Sequence, residues 1–284
     1  MGISPFLLSA SMALAPVAPV QPATPVAAPV ATAAPHPALW VVNDNDTIIY
    51  LFGTFHALDS NADWFGQAIK TAFSASDQLI LETLVPEPGQ MPRQTISGTG
   101  KAKALPRTQP PGPVVQLAPS ASFLATTKLV MSAGRSKGLS TNRGADAILR
   151  EAADETGKPV GGLESFEFQL KMFSALPGGS GAAPPQDPQT VQALGAVLSQ
   201  LETGWSRGEV EATFTPLLKQ MQAQTPQTYR AMFVERNARW AHWIADRLKT
   251  PGTVFVAVGA GHLSGPDSVQ NQLAALGVKS ARIN

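Results

Sequence analysis

The 284-residue chain contains no cysteine. That excludes disulfides, thiolate nucleophiles, thiolate metal sites and a lipoprotein anchor on an N-terminal cysteine. Charge is scarce as well: 14% of residues are charged against 44% apolar, and the net charge is +1. This balance removes the electrostatic case for nucleic acid or an anionic membrane surface as the main partner. Histidine is limited to His36, His56, His242 and His262. No histidine is followed by glutamate, so there is no His-Glu-x-x-His zinc helix. A Gly-x-Ser-x-Gly nucleophile elbow and a Gly-Lys-Ser/Thr phosphate loop are missing too.

The start, from Met1 to Ala15, is apolar and closes on small residues, in the manner of an export segment without the usual basic n-region. It is too short and too broken by proline to span a bilayer. Export to the periplasm or beyond is therefore the expectation. Pro16 to Pro37 is almost entirely Ala, Pro and Val, a composition that favours extended, hydrated chain and builds no core. Residues 1–37 read as an export-like segment and linker, and residues 38–284 as one folded domain.

Within that domain, Thr47 to Phe52 is a β-branched and aromatic run ending at Gly53, the pattern of a buried strand. Helical spacing of Trp64, Phe65, Ala68, Ile69, Ala72 and Phe73 predicts a helix over 64–75, with Asp63 as its cap. Gln78 to Glu82 reads as a second strand. Strand, helix and strand with short connections predict a βαβ unit with a parallel pair. Val85 to Pro119 lacks periodicity and reads as a long insertion. Helical patterning returns over 120–133 and 144–155, followed by a brief strand near Val160. A second irregular stretch runs from Pro177 to Pro188, and a helical region then continues to about Thr250, with Trp240, Ile244 and Leu248 on one stripe. Thr253 to Val258 is a further buried strand, followed by Gly259-Ala260-Gly261-His262, a helix over 266–276 and a last strand over 278–283. The class is α/β, and both ends of the domain share one order: apolar strand, glycine turn with histidine, helix, strand.

The chemistry gathers at those two turns. His56 follows Gly53-Thr54-Phe55, and His262 follows Gly259-Ala260-Gly261. In α/β folds ligands collect at the carboxyl ends of strands, where glycine lets backbone come close. Glu82 ends the second strand at the same expected edge, and Glu164 follows the brief strand near Val160. A carboxylate closing an apolar strand is costly to bury unless it is paired or ligates something. Each can therefore be a ligand or an ordinary ion-pair partner. Two imidazoles with one or two carboxylates suit a divalent Zn, Mn, Co or Fe, which would activate water. Without metal, a His–Glu pair still offers general base catalysis. Arg236 and Asn237, at the start of a long helix, orient a carboxylate, stabilise an oxyanion, or lie on a solvated face. His36 and His242 read as linker and helix residues. The run from Gly259 to Gly265 imitates a dinucleotide fingerprint, but its third glycine is one place late and only 19 residues follow it.

Taken in order, Ala38-Leu39-Trp40, Gly53-Thr54-Phe55-His56, Leu79-Ile80-Leu81-Glu82, Gly162-Leu163-Glu164-Ser165, Glu235-Arg236-Asn237 and Val256 to Gly265 resemble the TraB/GumN family. That family is grouped with the TIKI proteases and, more distantly, with erythromycin esterases and ChaN-like proteins. The resemblance runs from about Ala38 to Ile283, interrupted by the proline-rich insertion. It implies two β-sheet-plus-helix halves facing a shared cleft. It also implies a metal-dependent, peptidase-like hydrolase with Mn, Co or Zn held by His56, Glu82 and His262. Glu164 joins these as a catalytic candidate. Arg236, Asn237, Gly53 and Gly259 are the candidates for substrate contact. The expected substrate is a peptide or another small amide or ester. The alternative is a non-catalytic protein that binds a peptide or haem, or that serves exopolysaccharide assembly.

Overall fold

The computed structural model describes residues 36–59, 62–84, 121–176 and 187–284, with backbone alone for 121–126. Of the irregular stretches expected over 85–119 and 177–188, residues 85–119 and 177–186 lie outside the described residues, as does the N-terminal segment to residue 35; Asp187 and Pro188 instead cap and open a helix.

The chain enters on β1 (Leu39–Asn43), whose Leu39, Trp40 and Val42 are buried, and turns back into β2 (Thr47–Thr54). The turn is made by Asp44, whose carboxylate accepts from the amides of Asp46 and Thr47 and so mimics a backbone turn. Helix α1 spans Gln67–Ala75, three residues later than its apolar spacing predicts. Trp64 stacks on Phe52 and on Phe65 in the segment before it, and Gly66 takes the cap position. Aromatic packing has thus claimed what looked like the first helical turn. Next come β3 (Gln78–Thr83), α2 (Ala121–Arg135), a 3-10 turn at Thr141–Arg143, α3 (Ala145–Thr156) and β4 (Val160–Glu164).

α4 (Phe166–Ala175), which the sequence pattern did not announce, follows β4, and the expected helical region resolves into α5 (Pro188–Ser206), α6 (Val210–Gln224), the short α7 (Pro226–Tyr229), a π-turn at Arg230–Val234 and α8 (Glu235–Arg247). Strand β5 (Gly252–Gly259), a 3-10 turn at Ala260–Leu263, α9 (Val269–Ala275) and β6 (Ser280–Arg282) complete the chain.

Among the described residues the six strands form one mixed sheet in the order β4-β3-β5-β2-β1-β6. β4, β3, β5 and β2 run parallel, and β1 is antiparallel to both β2 and β6. The α/β class is as expected, and the two glycine–histidine units share this one sheet. The predicted βαβ pair differs in one respect: β2 and β3 are parallel but not neighbours, because β5 lies between them. β5 is buried along Val254, Phe255, Val256, Ala257 and Val258, and a strand apolar on both faces belongs in the middle of a parallel sheet. An aromatic cluster fills one face beside it. Phe73, Trp64 and Trp205 meet around Phe255 and Phe52, with centroid separations of 5.5–6.4 Å. Trp205 also donates its indole N–H to the carbonyl of Gly53 at 2.7 Å, which ties α5 to the end of β2.

Candidate functional site

Because β2, β5 and β3 are parallel neighbours, their carboxyl ends reach one edge of the sheet together. Thr54 is in register with Gly259, so the two glycine–histidine turns leave the sheet side by side. Gly53 packs against the second turn: a Cβ on it would stand 3.1 Å from the Cα of Ala260. Gly259 is needed for a different approach. A Cβ there would stand 3.1 Å from both His56 Nε2 and Glu82 Oε1, so both groups converge over this glycine.

His56 is held from its other nitrogen. Nδ1 lies 2.6 Å from Asp146 Oδ2. The amino end of α3 docks on the same loop: Ala145 N–H donates to the carbonyl of Phe55 at 2.9 Å. A Cβ on Gly144 would collide with the carbonyl of His56 at 2.3 Å. The carboxylate of Asp146 holds the His56 imidazolium above the ordinary histidine value, at about 9, with burial and Arg236 opposing and Glu82 assisting. The side chain is 62% exposed, so water screens part of this attraction.

His262 is the opposite case. It is buried at 6% exposure between Phe233 and Trp240, whose ring centroids lie 4.8 and 4.5 Å away. Its Nδ1 lies 2.6 Å from Asn237 Oδ1. The Asn237 amide nitrogen donates to the carbonyls of Asp267 and His262, at 2.7 and 3.4 Å. That fixes the amide with its oxygen toward the ring, so Nδ1 carries the proton and Nε2 the lone pair. Nε2 accepts from Arg236 Nη1 at 3.3 Å. Burial pushes the pKa of His262 down to about 3, with Arg236 and His56 acting the same way against Glu82. At neutral pH this ring is uncharged.

Arg236 stands at the centre. Its side chain is 3% exposed, and it lies on the buried face of α8 with Asn237, Trp240, Ala241 and Ile244. Nε donates to Glu164 Oε2 at 3.1 Å, while Nη2 donates to Glu164 Oε1 at 2.5 Å and to Glu82 Oε2 at 2.7 Å. Nη1 donates to the carbonyl of Met232 at 3.4 Å as well as to His262. All five N–H groups of the guanidinium therefore have partners within the protein. Burial works against this charge, and Glu82 and Glu164 outweigh it, raising its pKa. The Trp240 ring lies 4.5 Å from the guanidinium carbon, a cation–π contact.

Glu82 completes the cluster. Oε1 accepts from the amide of Gly259 at 2.6 Å and lies 3.7 Å from His262 Nε2. Burial would raise its carboxyl, but His262, Arg236, His56 and the Gly259 amide outweigh it and hold the pKa down to about 2. Glu164, 5% exposed, is spent on Arg236, with the amide of Gln169 3.4 Å away. Asp146, His56, Glu82, Arg236 and Glu164 thus form a row of alternating charge along the sheet edge.

The geometry gathers His56, Glu82, His262, Glu164, Arg236, Asn237 and Gly259 into one site. His36 and His242 stand apart: His36 packs against Gly66, and His242 is exposed. Asp146 is the contact that sequence reasoning missed. Its only local signal is an acidic residue in the first turn of a helix, which usually serves the helix dipole. A surface hollow of about 510 Å³, lined by Leu201, Gly204, Arg207 and Thr213 among others, contains none of these groups.

The donor set does not fit a metal as arranged. Among the described residues no three His, Asp or Glu side chains are grouped to hold an ion. A guanidinium already lies between Glu82, Glu164 and the Nε2 of His262.

A mixed α/β sheet with two glycine–histidine turns, a strand-end glutamate and an arginine-asparagine pair on one helix defines the class. A family model described as the TraB/PrgY/gumN family matches residues 38–282, and the chain belongs to that family. No curated protein and no solved structure gives a significant match.

Proposed function

We propose that the chain is a hydrolase of the bacterial cell envelope, acting on a peptide or another small amide or ester. The observation that carries this reading is the pairing over Gly259. The exposed His56, oriented through Asp146, turns its Nε2 to the same spot as Oε1 of Glu82, whose pKa near 2 keeps it ionised at neutral pH. Around neutral pH the first group is a proton donor and the second a proton acceptor. Glu82 takes a proton from water as the oxygen attacks the carbonyl carbon. The bond to the amine or alcohol then breaks, and that leaving group receives the proton of His56 Nε2. Arg236, Glu164 and Asn237 act as positioning residues, since their polar atoms are engaged within the protein.

No step is routed through a metal. The test is a screen of peptide and ester libraries with chelated protein, before and after addition of Mn, Co or Zn. Wild type, His56→Ala, Glu82→Gln and His262→Ala are compared. Loss of about 10²–10⁴-fold in the first two variants is expected, the range for a positioned acid or base. Turnover only after metal addition would replace the metal-free scheme with a metal-dependent one. No turnover by wild type under any condition sinks the hydrolase reading.

A second reading, a non-catalytic binder of peptide, haem or saccharide, draws support from the saturation of Arg236, which leaves no N–H for a transition state. Ligand capture lost in His56→Ala, without turnover in wild type, would favour it. Placement in the envelope rests on the export-like start, and fractionation of cells expressing the full chain tests it.

A further inference from the structure

One guanidinium beside the site has no use in the scheme above. Arg239 lies about one turn beyond Arg236 on α8 and continues the row of alternating charge past Glu164. Its Nη2 stands 3.9 Å from Glu164 Oε2, too far for a hydrogen bond, and its side chain is 45% exposed. Glu164 does not need this second cation. That carboxylate already accepts from Nε and Nη2 of Arg236, and the Gln169 amide lies beside it. Arg239 therefore makes no hydrogen bond to any described residue, whereas every N–H of Arg236 is engaged.

Arg239 is nevertheless held in place. Its guanidinium carbon lies 4.5 Å from the ring centroid of Phe168 on α4. A cation–π contact steadies the group and consumes none of its N–H donors. A rigid fork of free donors matches a carboxylate, which accepts two parallel N–H bonds from it. Position narrows the reading further. The Arg236 guanidinium and the Glu164 carboxylate bridge Glu82 to Arg239 through short contacts, a span that the last few residues of a peptide cover.

We propose that Arg239, on its Phe168 platform, is the residue of this site that recognises a substrate carboxylate, and that cleavage falls within a few residues of that group. The place of cleavage rests on the hydrolase reading, while the carboxylate contact does not. Arg239 touches substrate away from the reacting atoms, so it binds ground state and transition state alike and acts on KM.

Matched peptide libraries, ending in a free carboxylate or in an amide, test this on the full chain. Wild type should favour the free carboxylate by about tenfold or more in kcat/KM, the worth of a charge-assisted hydrogen bond. Arg239→Met should raise KM for those peptides about 10–100-fold, with kcat and melting temperature unchanged and the amides unaffected. Arg239→Lys keeps the charge without the fork and should recover only part of the preference. Amidated peptides with one internal Glu separate the two sources of a carboxylate: cleavage beside that Glu, lost in Arg239→Met, assigns the subsite to an acidic side chain. Equal cleavage of all libraries by wild type overturns the proposal, as does an Arg239→Met loss shared by amides that carry no acid. If wild type cleaves nothing, the ¹⁵N-resolved Nε–H signal of Arg239 is followed as acetyl-dialanine or its amide is added. A shift with the acid alone keeps the carboxylate contact while the hydrolase reading fails, and the same response to acid and amide overturns the contact too.

Discussion

The two glycine–histidine turns carry the same motif and have opposite electrostatics. His56 faces solvent with a carboxylate on Nδ1, and the charge of that carboxylate keeps it protonated. His262 is enclosed by Phe233 and Trp240 with an amide on Nδ1, and burial keeps it neutral. A carboxylate favours the charged ring, whereas an amide orients the ring without stabilising a charge. The motif delivers an imidazole to the sheet edge, and the residue on the far nitrogen decides what that imidazole does.

Removing the cation that separates these environments should have the largest effect. Arg236→Met leaves Glu82 and Glu164 buried without compensation, and a loss of about 3–5 kcal/mol is expected by urea unfolding. The pH dependence should flatten with it. In wild type the Glu82 pKa is lowered to about 2. Its contribution is therefore present above the unfolded value near 4.5 and is lost as pH falls from there through 2. In Arg236→Met one of the four contributions that hold this carboxyl down is gone while His262, His56 and the Gly259 amide remain, so the acid loss over that range should shrink. A variant that loses stability in acid as wild type does would break this account.

Asn237→Leu comes next. It strands the Nδ1–H of His262 and the carbonyl of Asp267, at a cost of about 1–3 kcal/mol, and His262 should lose its single tautomer in ¹⁵N NMR. Asn237→Asp sharpens the comparison further by giving His262 the partner type of His56. The pKa of His262 should then rise from about 3, and an unmoved titration would show that burial alone rules this ring.

Asp146→Asn should act more gently, because His56 is exposed. Its pKa should fall from about 9 toward the ordinary value, followed by its ring-proton shifts. The sign is the reverse of that for Glu82: stability from the pair is full below about 6.5 and disappears as pH rises through 9. The smallest effect belongs to His242→Ala on the exposed face of α8, where a change within about 0.5 kcal/mol is expected. A larger loss there would mean that this face is covered.

What could be read from the sequence followed from the range of the signal. β2, β3 and β5 announce themselves because each is a continuous apolar run, and Glu82 stands out because a carboxylate closes one of them. α8 shows its stripe at Trp240 and Ile244, although the same stripe includes Arg236 and Asn237, which look like surface residues when read alone. β1 is only five residues long and α4 has no buried residue, so neither announces itself, whereas β6 falls within the strand expected over 278–283. The insertion of β5 between β2 and β3 has no local signature, since strand order is decided by which strand can be buried on both faces. Asp146 is 90 residues from His56, and no periodicity links them.

The central place of β5 has a consequence for how the protein is made. β2 and β3 emerge from the ribosome early but have only a gap between them until Gly252–Gly259 arrives, after all of α2 to α8. Every contact over Gly259 therefore waits on strand insertion across about 170 or more residues of separation, the kind of long-range pairing that folds slowly. Until then two sheet edges remain open to wrong pairing. A nascent chain stalled before residue 252 would hold His56, Glu82 and Arg236 and still have no site.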